Sequence, residues 1–580
     1  MSNHSVQGKE WVLKEYDKNL VELISKNYNL DFFISKLLAI KNINTNDIDN
    51  FLNPRIKNFL PNPYIFKDMK KGLTLLSEHI KKNNKICIFG DYDVDGATSS
   101  SMMSRYLKFL SINHLVFIPD RQKDGYGPSI ATFENIINQN VSLIIALDCG
   151  TTSFEAIDFA KSKNIDVIVI DHHKSQENFP KADAIINPNR VDENGDYYYL
   201  CAAGVLFIFL VGLNSFLRET NFFSENKTSE PDLLNFLDLV MMGTVCDVVP
   251  LINLNRAFVN QGLKIASKRE NLGLKTLVDF SKIKKKLSTY EVGYVLGPKI
   301  NAGGRIGKSK LGYNLLTTDD AESAYLISSE LDSLNMKRKD LEKKILDEAI
   351  ILAEKNINDP IIFLVKNDWH EGLIGIVASR LKDHFHKPTF IISQSGNLCK
   401  GSARSVYGFD IGMAITKCKQ MNIILKGGGH PMAGGFSLSD NQLENFKNEL
   451  ITTFKKYKKN TENTILYIDS YLDSSAINQD LVNKLDCLEP YGSGNREPLF
   501  AFENFEVSKV IETNNNHVKV VLKKGNFYLD AISFNSKNTD IGNYLMNYKK
   551  SFNVAGKIKL NEWNDRSKIE LIVEDIQLIQ

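Results

Sequence analysis

The sequence predicts an α/β protein with a parallel-sheet domain, a long connecting helix, a smaller α/β domain and a C-terminal β-barrel. Three observations predict it. From about residue 85, short β-branched runs alternate with helix-like segments; residues 318–357 carry no Pro or Gly and repeat their apolar positions at helical spacing; the last 120 or so residues are closely spaced alternating runs.

The first 60 residues hold the fewest signals and are expected to pack on the core. Within 61–275, the runs KICIFG, HLVFIPD, SLIIALD and DVIVID read as strands, separated by helical stretches such as TSFEAIDFAKSK. Continuous apolar strands suit a sheet covered by helices on both faces. Residues 276–357 form the linker, which includes the segment KINAGGR and the long helix, and 358–455 repeat the α/β pattern with PIIFLVKND, HEGLIGIVASRLKDHF and KPTFIIS. The Gly-rich segments KGSARSVYG and KGGGHPMAGGFSL follow as non-periodic stretches. Residues 456–580 predict the small barrel, of the oligonucleotide-binding (OB) type.

With 580 residues the chain exceeds one hydrophobic core, which stops growing at roughly 250–300 residues. Hydrophobic content of 43% and charged content of 24% exclude wholesale disorder. The N-terminus has no apolar leader, and no run is expected to reach the roughly 18 apolar residues of a membrane span, so a cytoplasmic location is expected. Seven cysteines without a C-x-x-C pair exclude a zinc ribbon and a disulfide framework and read as buried thiols. A net charge of +2 decides nothing about a polyanionic partner; the basic runs SKIKKKL (281–287) and NMKRKDLEKK (335–344) read first as solvated helix faces.

The chemistry lies in the aspartates. Asp91, Asp93 and Asp95 follow KICIFG, Asp120 ends HLVFIPD, Asp148 ends SLIIALD and Asp171 ends DVIVID. The carboxyl ends of parallel strands line one sheet edge, so these acids should converge in a crevice. An isolated Asp at such a place is usually a helix cap or turn former, but four strand ends in succession strain that reading. Clustered carboxylates repel unless cations neutralise them, and His172 and His173 add the imidazole that suits Mn²⁺ beside Mg²⁺.

DYDVDG (91–96), LDCG (147–150), DHH (171–173) and CDVVPL (246–251) resemble, in order and spacing, the metal motifs of the DHH phosphoesterase superfamily. DRQKDGYG, GPKINAGGRIG, GSARS, GGGHPMAGGF and YGSGNREPLF extend the resemblance to the RecJ single-strand-specific exonucleases, with their DHHA1 second domain and C-terminal OB domain. The resemblance implies two divalent ions, Mn²⁺ or Mg²⁺, held by Asp93, Asp95, Asp148, His172 and Asp247, with Asp148 bridging; these residues and His173 form the catalytic set, and Asp91 and Asp171 stand behind it. It further implies that Arg121, Tyr126, Asn301, Arg305, Ser402, Arg404 and His430 bind the nucleic acid. Two departures stand out. Many superfamily members carry a His four residues before the equivalent of Asp93, where this chain has Phe89, so one metal site is expected to be weaker or completed differently; Gly303 replaces a more usual Ala.

The resemblance implies metal-dependent 5′→3′ hydrolysis of single-stranded DNA in repair and recombination, with a helicase or single-strand-binding protein as partner; a monomer and no membrane are expected. Two rivals share parts of the pattern. A DHH phosphodiesterase acting on short oligonucleotides or cyclic dinucleotides has no need of the terminal β segment, and a non-catalytic DNA-binding replication scaffold has no need of the carboxylates.

Overall fold

The computed structural model describes residues 5–120, 124–125, 127–457, 465–511, 513, 516–563 and 566–579. The first lobe holds a five-stranded all-parallel sheet in the order His114–Phe117, Ile86–Gly90, Leu143–Leu147, Asp166–Ile170, Ala184–Ile186. The fifth strand, AII, is too short to have been signalled in the sequence. Successive residues of the strands enter different cores. Ile86, Ile88, Ile145 and Ile168 join one apolar cluster, and Cys87, Phe89, Ile144 and Val167 another on the opposite face. Both faces are covered, which is why the strands read as unbroken apolar runs.

The larger cluster does not stop near residue 275. Leu287, Val292, Leu296, Ile300, Leu315 and Leu331 are buried in it, so 276–331 is an integral part of the first lobe, not a linker. The long helix spans Ala321–Lys355. Its first half, through Ala324 and Leu331, belongs to the first core, whereas Ile345, Ala349 and Ala353 belong to the second lobe.

The second lobe is a mixed sheet in the order Lys426–His430, Ala433–Ser439, Leu398–Arg404, Thr389–Ser395, Ile362–Asn367, parallel only between the last two. The Gly-rich segments, expected to be non-periodic, are therefore antiparallel strands. Glycine is required where partners crowd: a Cβ at Gly401 would lie 2.1 Å from the Phe436 ring, and one at Gly429 would lie 2.3 Å from Ala433 O.

At the C-terminus Phe500–Ile511, Val518–Lys524, Phe527–Ser533, Arg566–Leu578 and Phe552–Trp563 pair in that order, and the last pairs back onto the first, closing a five-stranded barrel. Most of the N-terminal segment packs here, while its last part, through Ile56, Phe59 and Leu60, packs on the first-lobe core. Its strand Glu10–Leu13 pairs with Ile465–Ile468, and Val21, Ile24, Leu37 and Leu38 share a core with Phe500, Phe502 and Val520. One side chain ties the three parts together. Arg256 of the first lobe is 2% exposed, lies 3.8 Å over the Phe51 ring, and donates to the carbonyls of Phe51, Leu488, Glu489 and Pro490 at 2.6–3.2 Å.

Two bulk expectations meet the structure here. All seven cysteines are free, five of them buried. The helix Ala202–Glu219 is long and apolar enough to cross a membrane by length and composition alone, which corrects the expectation that no run reaches that length; 72% of it is buried inside the protein, and it forms part of the first-lobe core.

Candidate metal centre and substrate cleft

The loop after strand Ile86–Gly90 carries three acids into one crevice. Asp91 is buried and accepts from Tyr92 N at 2.8 Å. Asp93 caps the helix Val94–Phe109, its Oδ1 accepting from Gly96 N at 3.0 Å. Gly96 has no alternative, since a Cβ there would lie 2.3 Å from Asp91 O. Asp95, 1% exposed, accepts from the N–H groups of Ala202 and Ala203 at 2.7 and 3.0 Å, so the positive end of helix Ala202–Glu219 stabilises its charge and fixes its rotamer.

Three further segments complete the site. Asp148 follows strand Leu143–Leu147 with φ at 62°, a left-handed backbone uncommon for a non-glycine residue. After Asp166–Ile170, buried Asp171 gathers the N–H groups of His172, His173 and Thr151 and the His173 ring at 2.7–3.1 Å. Asn189 and Asn187 donate to the carbonyls of His172 and His173. Asp247 ends the helix Leu237–Cys246, and Val248 beside it holds φ at 59°, a strained conformation for a β-branched residue.

Three groups of ligand atoms result, each within 4.8 Å: Asp91, Asp93 and Asp148; Asp148, His172 and His173; Asp95, His172 and Asp247. His172 Nε2 lies 3.3 Å from Asp148, 3.6 Å from Asp247 and 3.9 Å from Asp95. Asp148 Oδ1 and His172 Nε2 are buried with no hydrogen-bond partner. Burial first, then the charges of Asp95, Asp93, Asp91 and Asp247, hold the Asp148 carboxyl well above its ordinary range. Burial, with Asp95 and Asp93, pushes Asp247 up to about 8. Burial also raises Asp95, against the opposing charge of His172. Asp171 goes the other way: burial opposes its charge, but the hydrogen bond and charge of His173 outweigh this and hold it well below the carboxylate range. Burial likewise opposes a charge on His173, yet Asp171 raises that ring to about 9. Burial lowers His172, keeping its Nε2 free to ligate.

This donor set fits divalent cations. Orphaned ligand atoms in an over-acidic crevice are what two ions would satisfy, and the mix of carboxylate and imidazole suits Mn²⁺ as well as Mg²⁺. Phe89 takes no part: it is fully buried among Phe117 and Phe133, in the smaller of the two apolar clusters that cover the sheet. Asp91, expected to stand behind the ligands, instead offers an oxygen beside Asp93 and Asp148. Asp120 belongs to none of the three groups; it lies three residues beyond its strand, in a turn whose N–H is held by Asp124.

The helix Gly297–Arg305 links this crevice to the second lobe. Gly304 sits on the metal loop, where a Cβ would lie 2.4 Å from Tyr92 O, and Arg305 donates to Gly372 O at 2.9 Å. Asn301 is on the same helix, half-buried. Across the junction, Ser402 and Arg404 lie on one strand, 3.3 Å apart and against Gly375. Exposed His430 pairs with Ala433, which pairs in turn with Arg404. Arg121 and Tyr126 lie outside the described residues. The N–H groups of Ala202, Ala203 and Thr151 and the side chains of Asn187 and Asn189 hold the acids and the DHH backbone in place; they were not anticipated, because nothing in their local sequence marks them.

The N-terminal domain model of the DHH family matches residues 85–244, the DHHA1 domain model 337–456, and the RecJ OB domain model 468–575. The single-stranded-DNA-specific exonuclease RecJ of Haemophilus influenzae is 33% identical over 555 residues, covering 92% of this chain and 94% of that relative. The chain belongs to the RecJ family. RecJ of Escherichia coli is 31% identical over 541 residues, covering 90% of this chain and 92% of the relative. RecJ of Thermus thermophilus in complex with Mn²⁺ superposes with a TM-score of 0.81 at 24% identity, over 99% of this chain and 80% of that one. A manganese-bound exonuclease RecJ matches at 28% identity with a TM-score of 0.57, over 68% and 97%. The expected order of DHH, DHHA1 and OB domains is that of the RecJ family.

Proposed function

We propose that this chain is a metal-dependent exonuclease that hydrolyses single-stranded DNA 5′→3′ in DNA repair and recombination. The observation that carries the reading is the pair of orphaned, buried ligand atoms, Asp148 Oδ1 and His172 Nε2, at the centre of an acid cluster in a RecJ-family chain. Asp93, Asp95, Asp148, His172 and Asp247 would hold two ions, Mn²⁺ or Mg²⁺, Asp148 belonging to two of the three ligand groups; Asp91 is a further candidate ligand. Bound there, the ions supply activation of water for in-line attack and neutralisation of charge on the phosphorus oxygens.

The chain's own groups do the rest. Asp171 accepts from the His173 ring at 2.8 Å and fixes its orientation in the crevice, where the ring can face a phosphate oxygen. Arg121, Tyr126, Asn301, Arg305, Ser402, Arg404 and His430 are assigned to the strand and its terminal phosphate, for which the guanidinium fork is suited. The placement of Arg305, Ser402 and Arg404 at the junction of the two lobes supports this. The reading includes a cytoplasmic monomer, with a helicase or single-strand-binding protein supplying the single strand.

The test is degradation of 5′-labelled single-stranded DNA, with its duplex as control, in Mn²⁺, Mg²⁺ or chelator, by wild type and Asp148→Ala. Metal-dependent loss of the single strand alone, reduced at least ~10³-fold in the variant, is expected. Survival of the strand in every metal while dinucleotides are cleaved would overturn the substrate, and no cleavage at all would overturn the enzyme.

A further inference from the structure

The helix Leu237–Cys246, with Asp247 at its end, packs on residues 289–297: a Cβ at Gly293 would lie 3.5 Å from the Val245 side chain, and Cys246 Sγ donates to Val292 O. That segment is one turn of α-helix, Thr289–Glu291, running into a π-helical turn, Val292–Leu296. π turns widen a helix at an energetic cost and are frequently found at functional sites. Val292 and Leu296 are fully buried. The opposite side presents Tyr290 and Tyr294, 48% and 75% exposed, with ring centroids 5.2 Å apart and planes inclined by 30°.

The same segment touches the barrel and the loop leading into it. Thr289 Oγ1 donates to Tyr491 O at 2.6 Å, and Lys559 of the barrel strand Phe552–Trp563 lies 5.6 Å over the Tyr290 ring; nearby, Leu251 N donates to Ser493 O at 2.7 Å. Lys559 is also 3.3 Å from Glu497, and Lys285 is paired with Glu291 at 2.8 Å, so these two lysines are not free charges. Lys282, Lys284 and Lys286 of the preceding basic run are exposed.

We infer that Tyr290 and Tyr294 form a stacking platform for bases of the single strand between the metal centre and the barrel. The inference rests on the exonuclease reading above and adds to it the path of the strand. Lone surface tyrosines are ordinary. Here two lie side by side on one helical face with their rings tilted by 30°, the face adjoins the segment carrying Asp247, and a barrel lysine reaches over it. A base on the outer ring would extend the stack without sequence preference, as single-strand tracks require. Exposed Lys282, Lys284 and Lys286 offer cations for the phosphates alongside. The residues position substrate; they are not placed at the reacting atoms.

The experiment uses the full chain with Mn²⁺ and 5′-phosphorylated oligothymidylates of about four and about sixteen nucleotides, lengths that bracket a single-strand track. For the double variant Tyr290→Ala/Tyr294→Ala, KM on the longer strand is expected to rise about 5- to 100-fold with a much smaller change in kcat, and the preference for the longer strand to collapse. Anisotropy of the same labelled strand in chelator should show a matching rise in Kd. The double Phe variant, which keeps both rings, should restore wild-type values. Wild-type KM and Kd in the Ala variant would overturn the platform, as would a Phe variant as weak as the Ala variant. If wild type degrades no single strand, the exonuclease reading falls and the platform with it; if wild type degrades it and the tyrosine variants match wild type, only the platform falls.

Discussion

Asp247 shows how a single residue couples protonation, stability and metal. Its carboxyl titrates at about 8 because burial and the charges of Asp95 and Asp93 disfavour its ionised form, against about 3.9 in an unfolded chain. A group raised on folding stabilises the fold fully below its unfolded pKa and loses that contribution as pH rises through the folded one. His173, raised to about 9 from about 6.5, acts in the same direction over an overlapping window. Asp171 is depressed instead, and its contribution is lost only in acid far below this range, so it does not oppose the trend. His172, lowered by burial, opposes the trend only below its unfolded value of about 6.5, so in chelator Tm should fall as pH rises from about 6.5 to about 9. Mn²⁺ should flatten or reverse the fall, because ions bind the deprotonated ligands. Scanning fluorimetry across matched buffers checks this; Asp247→Asn should reduce the slope, and an equally steep fall in saturating Mn²⁺ would argue against metal binding at Asp247.

At the scale of elements, the site depends on how closely helices approach. Helix Leu237–Cys246 crosses Val94–Phe109 and Ala202–Glu219 at Gly243, where a Cβ would lie 2.5 Å from Asp95 Oδ1 and 2.9 Å from both Ala203 Cβ and Thr98 Oγ1. On propensity alone, Gly243→Ala should stabilise a helix interior by about 1 kcal/mol. Overpacking costs about 1–3 kcal/mol and here pushes on a candidate ligand. The clash should win. Urea unfolding should show net destabilisation, and Mn²⁺ titration should show weakened affinity. An Ala variant that is more stable and binds Mn²⁺ normally would mean the helices slide apart without disturbing Asp95.

At the scale of the whole molecule, domains that follow one another in sequence are not separable in space. The N-terminal helices complete the barrel's core, and the long helix contributes to both lobes' cores. Arg256 holds the junction by donating to four backbone carbonyls from a site almost closed to water. Burial pulls its pKa down to about 10, so it stays charged at neutral pH. Arg256→Met leaves those carbonyls without their donor, and each buried unsatisfied group costs about 1–3 kcal/mol. A loss of about 3 kcal/mol or more is expected in urea unfolding, together with faster proteolysis near 488–490. An unchanged midpoint would show that water or neighbouring donors replace the guanidinium.

Strand periodicity, the acids at strand ends and the helical repeat of Ala321–Lys355 were legible in the sequence, because each depends on residues close together along the chain. So were the metal motifs: DYDVDG, LDCG, DHH and CDVVPL each carry their acid or imidazole locally. What needed the tertiary structure was whatever joins distant segments. The N–H groups of Ala202 and Ala203 under Asp95, Gly304 on Tyr92, the burial of Phe89 away from the crevice and the N-terminal helices on the barrel are contacts across many residues, with no local pattern to announce them. Gly-rich strands escaped for a related reason: glycine weakens the strand signal, and only a close partner such as the Phe436 ring explains why it is there. By itself, then, the sequence determined the chemistry and the order of the domains, which reside in short motifs; the tertiary structure alone decided which segments share a core and how the acids are held, because those depend on packing between parts far apart in the chain.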